Sequence, residues 1–491
     1  MDHKIHLVPK AHQLGLFGFL MLTVSMVVSI YIYPTFATSG FSTVFFLLIS
    51  GFLWFIPVCL VAAELATGGQ HWCDAGVYSW GKAAFGELIG FCMIFFQWFQ
   101  ITLGFVAMLY FISSGLSYSF DFSCFGQPGL MQMALILIVF WVITLANFFG
   151  TRITKLIATY AFFIGILFPI LILIVLGVTF LVQGNSINIT FSAHTFFPDF
   201  SSFTALVLLV SFILSFMGAE ASAVHVNHLR NPARNYPLAI FILVILTVGL
   251  ATLASLTISM VIPKADISLS AGIFESFKFL FHHFGLDYVI YSFAFLITMS
   301  AVGEVSSWVN GPIRGIQTAA QNGLLPPALA KTNKHMMPTR LLLMQGCFVT
   351  FWAILITSFG MALGSGNVAF FTGMTLTVII YLTMYMLLFS AYIYLKFKVP
   401  DKINPRKFSL PVWFGLPVAL IGLIFTVIAF LVSFSRPTTI ASADYRAYLM
   451  ALIICLCVIL LLPITLYALT HKYHNKWALY NKEHKIGNFH Q

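Results

Sequence analysis

An all-α membrane protein with twelve transmembrane helices is the fold class this sequence predicts, and three observations predict it. Hydrophobic residues fill 60% of the 491 positions and charged residues only 8%, where soluble domains carry roughly 25% charged residues. Apolar runs of about 20 residues, the length that crosses the hydrocarbon of a bilayer, recur along the chain. The sparse Lys and Arg residues fall almost entirely in alternate connecting segments, the bias that orients membrane proteins. This balance excludes a water-soluble enzyme, a nucleic-acid-binding domain and a disordered chain. The net charge of +10 therefore marks orientation in a lipid bilayer and no nucleic-acid partner.

Taken in order, the spans are expected at 14–38, 42–66, 86–116, 130–149, 156–182, 203–225, 237–262, 287–310, 340–360, 368–395, 412–434 and 446–469. Lys4 and Lys10 precede the first, and Lys82 separates the second from the third. Arg152 and Lys155 separate the fourth from the fifth, and Arg230 and Arg234 the sixth from the seventh. Arg314, Lys331, Lys334 and Arg340 lie between the eighth and ninth. Lys396, Lys398, Lys402, Arg406 and Lys407 join the tenth to the eleventh, and Lys472, Lys476, Lys482 and Lys485 follow the twelfth. Only Lys264, Lys278, Arg436 and Arg446 of the 24 Lys and Arg residues fall on the opposite side. Both termini are thus expected in the cytoplasm of a cell carrying this chain as a multi-pass membrane protein. The first span is too long for the apolar stretch of a signal peptide and has no small-residue cleavage site after it, so no cleaved leader is expected.

Two spans look interrupted. In the first, Ser29-Ile-Tyr-Ile-Tyr33 runs into Pro34 at mid-membrane, and proline removes a backbone donor and disfavours helix at the residue before it. In the sixth, Ser215-Phe-Met-Gly-Ala-Glu220 places a glycine and an acid at similar depth. The five-span separation fits two inverted five-helix repeats with two added helices, an arrangement in which substrate sits at the broken helices. The organisation expected is a segment 1–13, a first repeat 14–182, a second repeat 203–395, two helices in 412–469 and a basic, His-containing tail 470–491. The alternative for Pro34 is a kink in a continuous packed helix. If the helices are broken, their free backbone groups must line a cavity. Amides near Ser29 to Tyr33 would suit a carboxylate, and carbonyls near Phe216, Met217 and Gly218 an ammonium, the two ends of an amino acid.

Glu64, Glu220 and Glu304 lie within or at the ends of apolar runs, where a charge costs at least about 2.5–3.5 kcal/mol and a functional reading is the default. Glu220 is expected to be a proton-sensitive or structural acceptor beside the sixth-span break, or else a neutral acid bonded to a neighbouring helix. Glu304 and Trp308 are four residues apart, on one helix face, as are Tyr381 and Tyr385, a pair that reads equally as packing. Glu64 is expected to snorkel or to contact a loop. The seven Cys include Cys59, Cys92, Cys347, Cys455 and Cys457 inside apolar runs, read as small buried hydrophobes and neither a disulfide framework nor a metal site.

The strings Tyr33-Pro-Thr-Phe-Ala-Thr-Ser-Gly-Phe41, Phe212-Ile-Leu-Ser-Phe-Met-Gly-Ala-Glu220, Asn231-Pro-Ala-Arg234, Glu304-Val-Ser-Ser-Trp308 and Gly311-Pro-Ile-Arg-Gly315 resemble those of the glutamate/γ-aminobutyrate antiporters. These belong to the amino acid–polyamine–organocation superfamily and have a LeuT-type inverted-repeat fold. The resemblance runs over nearly all twelve spans. It implies exchange of an external amino acid, glutamate-like, for its cytosolic decarboxylation product, γ-aminobutyrate-like, across a bacterial inner membrane in acid resistance. It also implies that Tyr31, Glu304, Trp308, Tyr381 and Tyr385 lie at the substrate site with Phe216 at a gate; Ser29, Tyr33 and Gly218, from the two breaks, complete the set expected to surround the substrate. Val27-Val-Ser29 replaces the superfamily's glycine-rich first-span signature, and Ile32 stands where the glutamate exchanger has an acid.

The resemblance further implies a C-terminal segment that blocks the pathway at neutral pH and leaves on acidification. His471, His474, His484 and His490 lie in that tail, and histidine gains charge around pH 6.5. Repulsion from the basic segment Lys396–Lys407 would then detach it, with Glu220 as a second proton-sensitive group. A proton-coupled symporter of different specificity is the alternative function. An embedded enzyme is the rival class, but no nucleophile cluster, His-Glu-x-x-His pair or nucleotide loop is present in the sequence. No cofactor and no metal are expected.

Overall fold

The apolar runs become helices in the computed structural model of the chain, which describes residues 15–68, 72, 76–150, 162–198, 206–218, 220, 229–362, 366–399, 406, 408–437 and 445–483. In chain order these are α1 (Leu16–Val27), α2 (Tyr33–Ala37) and α3 (Ser42–Ala66), followed by α4 (Val77–Phe85), α5 (Glu87–Phe120), α6 (Leu130–Phe149) and α7 (Phe163–Val182). Next come α8 (Leu209–Leu214), α9 (Pro232–Val261), α10 (Gly272–His283), α11 (Val289–Gln321) and α12 (Pro327–Ala330). The chain continues through α13 (Thr339–Ala362), α14 (Gly366–Lys398), α15 (Val412–Val432), α16 (Tyr445–Thr470) and α17 (His474–Glu483). Among the described residues there is no strand.

Among the described residues ten helices are long and apolar enough to cross a membrane, and they match ten of the twelve expected spans. The other two are the first and the sixth. Their described helices, α1 with α2 and α8, are short because the backbone leaves the helix inside the run. The eighth span runs eleven residues past its expected end at 310, to Gln321, because Pro312 is absorbed within the helix.

The central helix is α5, whose membrane-length stretch is wholly buried. It packs against α4, α11, α13 and α14. At the crossing with α11 the approach is so close that a Cβ on Gly115 would overlap the Thr298 hydroxyl at 1.9 Å. Two aromatic stacks then join the broken spans to the bundle. Phe212 of α8 lies face to face with Phe36 of α2 (ring centroids 4.5 Å) and with Phe46 of α3 (5.0 Å).

At the end of the bundle where α1 begins and α16 leaves (the terminal end), Glu64 of α3 is fully buried. Its carboxylate pairs with Lys396 of α14 and with Arg406, and accepts from the Tyr392 hydroxyl. The Ser409 hydroxyl at 3.3 Å and the Leu410 N–H at 3.2 Å complete the set. The Arg406 guanidinium also lies over the Trp72 ring, 5.2 Å from its centroid. Glu64 thus contacts the loop as expected but does not snorkel, because two cations and three neutral donors replace water around it.

The cysteines divide. Cys59 and Cys92 are buried, Cys455 is half-buried, and Cys347 and Cys457 are exposed on the outside of the bundle. The expectation of burial fails for the last two because a peripheral spanning helix turns apolar side chains towards lipid, so an apolar run does not by itself imply protein packing.

Removing one partner of a buried ion pair strands the other charges, at a cost of about 3–5 kcal/mol. Glu64→Ala is therefore expected to lower the unfolding free energy by about that amount, as read from denaturant titration of the detergent-solubilised protein. A wild-type midpoint would show that Lys396 and Arg406 do not depend on it.

Candidate functional site

The first break is built by Val28 and Ser29. The helix ladder of α1 runs as far as the bond from the Val28 N–H to the Val24 carbonyl (2.9 Å), and both residues then turn extended, at φ −81°, ψ 108° and φ −123°, ψ 113°. A 3-10 turn at Ile30–Ile32 leads into α2, where Pro34 occupies the first turn. There its missing N–H removes nothing the helix would have used. The break therefore lies five residues before the proline, which restarts the helix and does not kink it.

The bond that crosses this break comes from the Ser29 hydroxyl, which donates to the Glu304 carboxylate of α11. Glu304 is buried at 7% exposure, and its second oxygen, Oε2, has no protein partner. The Tyr33 hydroxyl is likewise buried without one. Tyr31 packs its ring on Phe111 of α5 (6.3 Å), and both tyrosine hydroxyls are within electrostatic reach of Glu304. Trp308 follows one helical turn along α11, half-buried. Ser29, Tyr31, Tyr33 and Glu304 thus gather around one open carboxylate oxygen.

The second break lies beyond α8. The backbone turns through 215–218, and Gly218 adopts φ +99°, a conformation that a side chain would strain. Phe216 stacks on Phe55 of α3 (4.8 Å). Glu220, 1% exposed, is held among the described residues by neutral donors: Gln97 Nε2 of α5 at 2.8 Å and the Tyr381 hydroxyl on one oxygen, and the Tyr385 hydroxyl on the other. The Gly218 N–H in turn donates to the Tyr385 oxygen at 3.3 Å. An ionised carboxylate only accepts hydrogen bonds, so this set of donors matches its charged form. Tyr381 and Tyr385 share a face, as their spacing requires, and their hydroxyls are spent on Glu220 and not on open space. Gln97 was missed in the sequence, although a pair of amides, Gln97 and Gln100, in the apolar first half of a 34-residue helix was the available signal.

Over the end of the bundle opposite the termini, α10 approaches the first break. A Cβ on Gly272 would lie 2.9 Å from the Pro34 ring. One turn along, burial pushes Glu275 up from 4.5 to about 7, Asp266 adds to the rise, and the Ser268 N–H, at 3.4 Å, opposes it. This titratable group has no counterpart in the sequence reading.

In the Lys396–Lys407 segment Lys396 and Arg406 are taken by Glu64, and the described tail contacts lie elsewhere on the terminal end. Asn481 of α17 donates to the Ala320 and Gln321 carbonyls at the end of α11, both at 3.0 Å, and Thr470 to the Leu324 carbonyl at 3.0 Å. His474 Nε2 lies 3.6 Å from the Glu87 carboxylate, which also pairs with Lys82 at 2.8 Å. His471 packs between Tyr467 and His474. His484 and His490 lie outside the described residues.

A family model described as amino acid permease matches residues 14–462. The glutamate/gamma-aminobutyrate antiporter of Lactococcus lactis subsp. lactis (strain IL1403) is 44% identical over 467 residues, covering 94% of this chain and 91% of that protein. That of Lactococcus lactis subsp. cremoris (strain MG1363) is 43% identical over 471 residues, with the same coverage. An uncharacterized transporter of Legionella pneumophila is 33% identical over 87% of this chain and 90% of its own.

The raised Glu275 carboxyl sets a sign for pH. Folding favours the neutral acid, so its contribution is fully present below about 4.5 and is lost as pH rises through about 7. Glu275→Gln should remove that slope: its unfolding temperature stays level across this interval where that of the wild type falls by a few degrees. Parallel curves would remove Glu275 from the account.

Proposed function

This chain belongs to the amino acid permease family, and from that membership we propose that it is a secondary-active antiporter exchanging an external glutamate-like amino acid for a γ-aminobutyrate-like decarboxylation product. It is a transporter and not an enzyme. The supporting observation is the open Oε2 of Glu304 beside the first-span break. A buried carboxylate with one oxygen bonded and one unmatched presents an acceptor for an ammonium, and beside it the Ser29 amide, past the last bond of α1, suits a carboxylate. Tyr31 and Trp308 would bracket the aliphatic part. In this reading the first and sixth spans are discontinuous helices of a twelve-helix LeuT-type fold, with repeats at 14–182 and 203–395 and two further helices in 412–469. The terminal end faces the cytoplasm of a bacterial inner membrane, with twenty of the 24 Lys and Arg residues on that side. Glu220, already saturated, holds the sixth-span break to α5 and α14. Acid activation would draw on Glu275, at the end opposite the termini.

Uptake of labelled glutamate into proteoliposomes tests the exchange. It should proceed with γ-aminobutyrate inside and stop with an empty lumen, whereas uptake driven by a pH gradient alone would establish symport. Glu304→Gln should raise KM by about 10- to 100-fold, the value of a hydrogen bond to a charged group. Glu220→Gln should instead lower the melting temperature with a smaller change in KM. The reverse pattern would exchange the roles assigned to the two acids.

A further inference from the structure

The tail helix α17 has two unlike faces. His474, Ala478 and Asn481, at helical spacing, turn towards the bundle: Asn481 bonds the end of α11, and the Gly323 backbone lies against His474 and Ala478. Lys476, Trp477, Leu479, Tyr480 and Glu483 turn the other way and, with Pro327, Ala328 and Lys331 of the α12 segment, line a cavity of about 480 Å³. Lys331 sits over the Tyr480 ring, 5.9 Å from its centroid. Two lysines from segments 145 positions apart in sequence thus converge on one cavity against a single lining acid, and the lining is net positive.

Its position identifies the solvent it meets. Only the three residues His471–Tyr473 separate α17 from the spanning helix α16, so the cavity lies where the chain emerges from hydrocarbon. Leu479 and Tyr473 are exposed at 57% and 42%, and Tyr473 stacks on Trp477 at 5.3 Å. Tyrosine and tryptophan with an exposed leucine just past the end of a spanning helix are the composition of a bilayer interface. Basic cavities between helices at this level accept anionic lipid headgroups.

We propose that the cavity between α12 and α17 binds the headgroup of an anionic phospholipid, its phosphate between Lys331 and Lys476 and its acyl chains beside Leu479. The bound lipid bridges the α11–α13 connection to the tail and fixes α17 against α11 and Glu87. This inference rests on α16 spanning the membrane and is independent of the transported substrate.

The test uses the full chain, purified in detergent and supplied with dioleoylphosphatidylglycerol, dioleoylphosphatidylcholine or free glycerol phosphate. Phosphatidylglycerol is expected to raise the melting temperature and to remain bound in native mass spectra, and the other two are not. Lys331→Gln and Lys476→Gln should each weaken its retention about fivefold, while both variants keep the wild-type melting temperature in phosphatidylcholine. A photoreactive phosphatidylglycerol on the wild-type protein should label peptides 327–334 and 474–483, a readout that survives any folding defect in the variants. The inference is overturned if labelling falls elsewhere, if the variants retain lipid like the wild type, or if phosphatidylcholine stabilises equally. An increment from glycerol phosphate alone would assign the cavity to a free anion and reject the lipid.

Discussion

A carboxylate withdrawn from water must find its solvation inside the protein, and the way this chain meets that demand three times organises the molecule. Glu64 is surrounded by two cations, two hydroxyls and an amide. Glu220 is surrounded by an amide and two phenols. Glu304 has one serine hydroxyl and one oxygen left over. Each step down that series leaves the acid less complete. Fully compensated buried charges lock elements together, whereas an uncompensated one costs free energy until something binds it. The least satisfied of the three is therefore the one with chemistry to offer, and it stands beside the backbone break.

The same reasoning explains why two spans are interrupted. Hydrocarbon tolerates no unpaired peptide groups, so a helix breaks only where another partner is available. At Ser29 the side chain reaches α11, and at Gly218 the N–H reaches Tyr385 of α14. The stacks of Phe212 on Phe36 and Phe46 then tie the two interrupted spans to each other and to α3. Each break is thus braced by helices that are not broken.

Ten of the spans were legible because apolar length is a direct reading of hydrocarbon thickness. The breaks were legible in kind but not in place. Proline was the visible signal, yet Pro34 sits where a helix begins, and the extended pair Val28–Ser29 carries no residue that announces itself. Partnership was the hardest to read. Tyr381 and Tyr385 share a face by spacing alone, but nothing in their own segment shows that Glu220, some 160 positions away, consumes both hydroxyls. Gln97 and Glu275 were missed for the same reason: an isolated polar residue states a need for a partner without naming it. The exposed Cys347 and Cys457 show the converse limit, since lipid and protein interior select the same side chains.

The tail makes a final point about charge. Counting Lys396 and Arg406 as a free basic surface led to the expectation of a tail repelled from it. Burial changes what a charge can do: both cations are committed to Glu64, and their field is spent within a few ångströms. What faces the tail is Glu87, the Lys331 ammonium over the Tyr480 ring, and uncharged carbonyls of α11 that Asn481 engages. Formal charge counted along a sequence predicts the side of the membrane, and pairing in three dimensions decides which of those charges remain available to act.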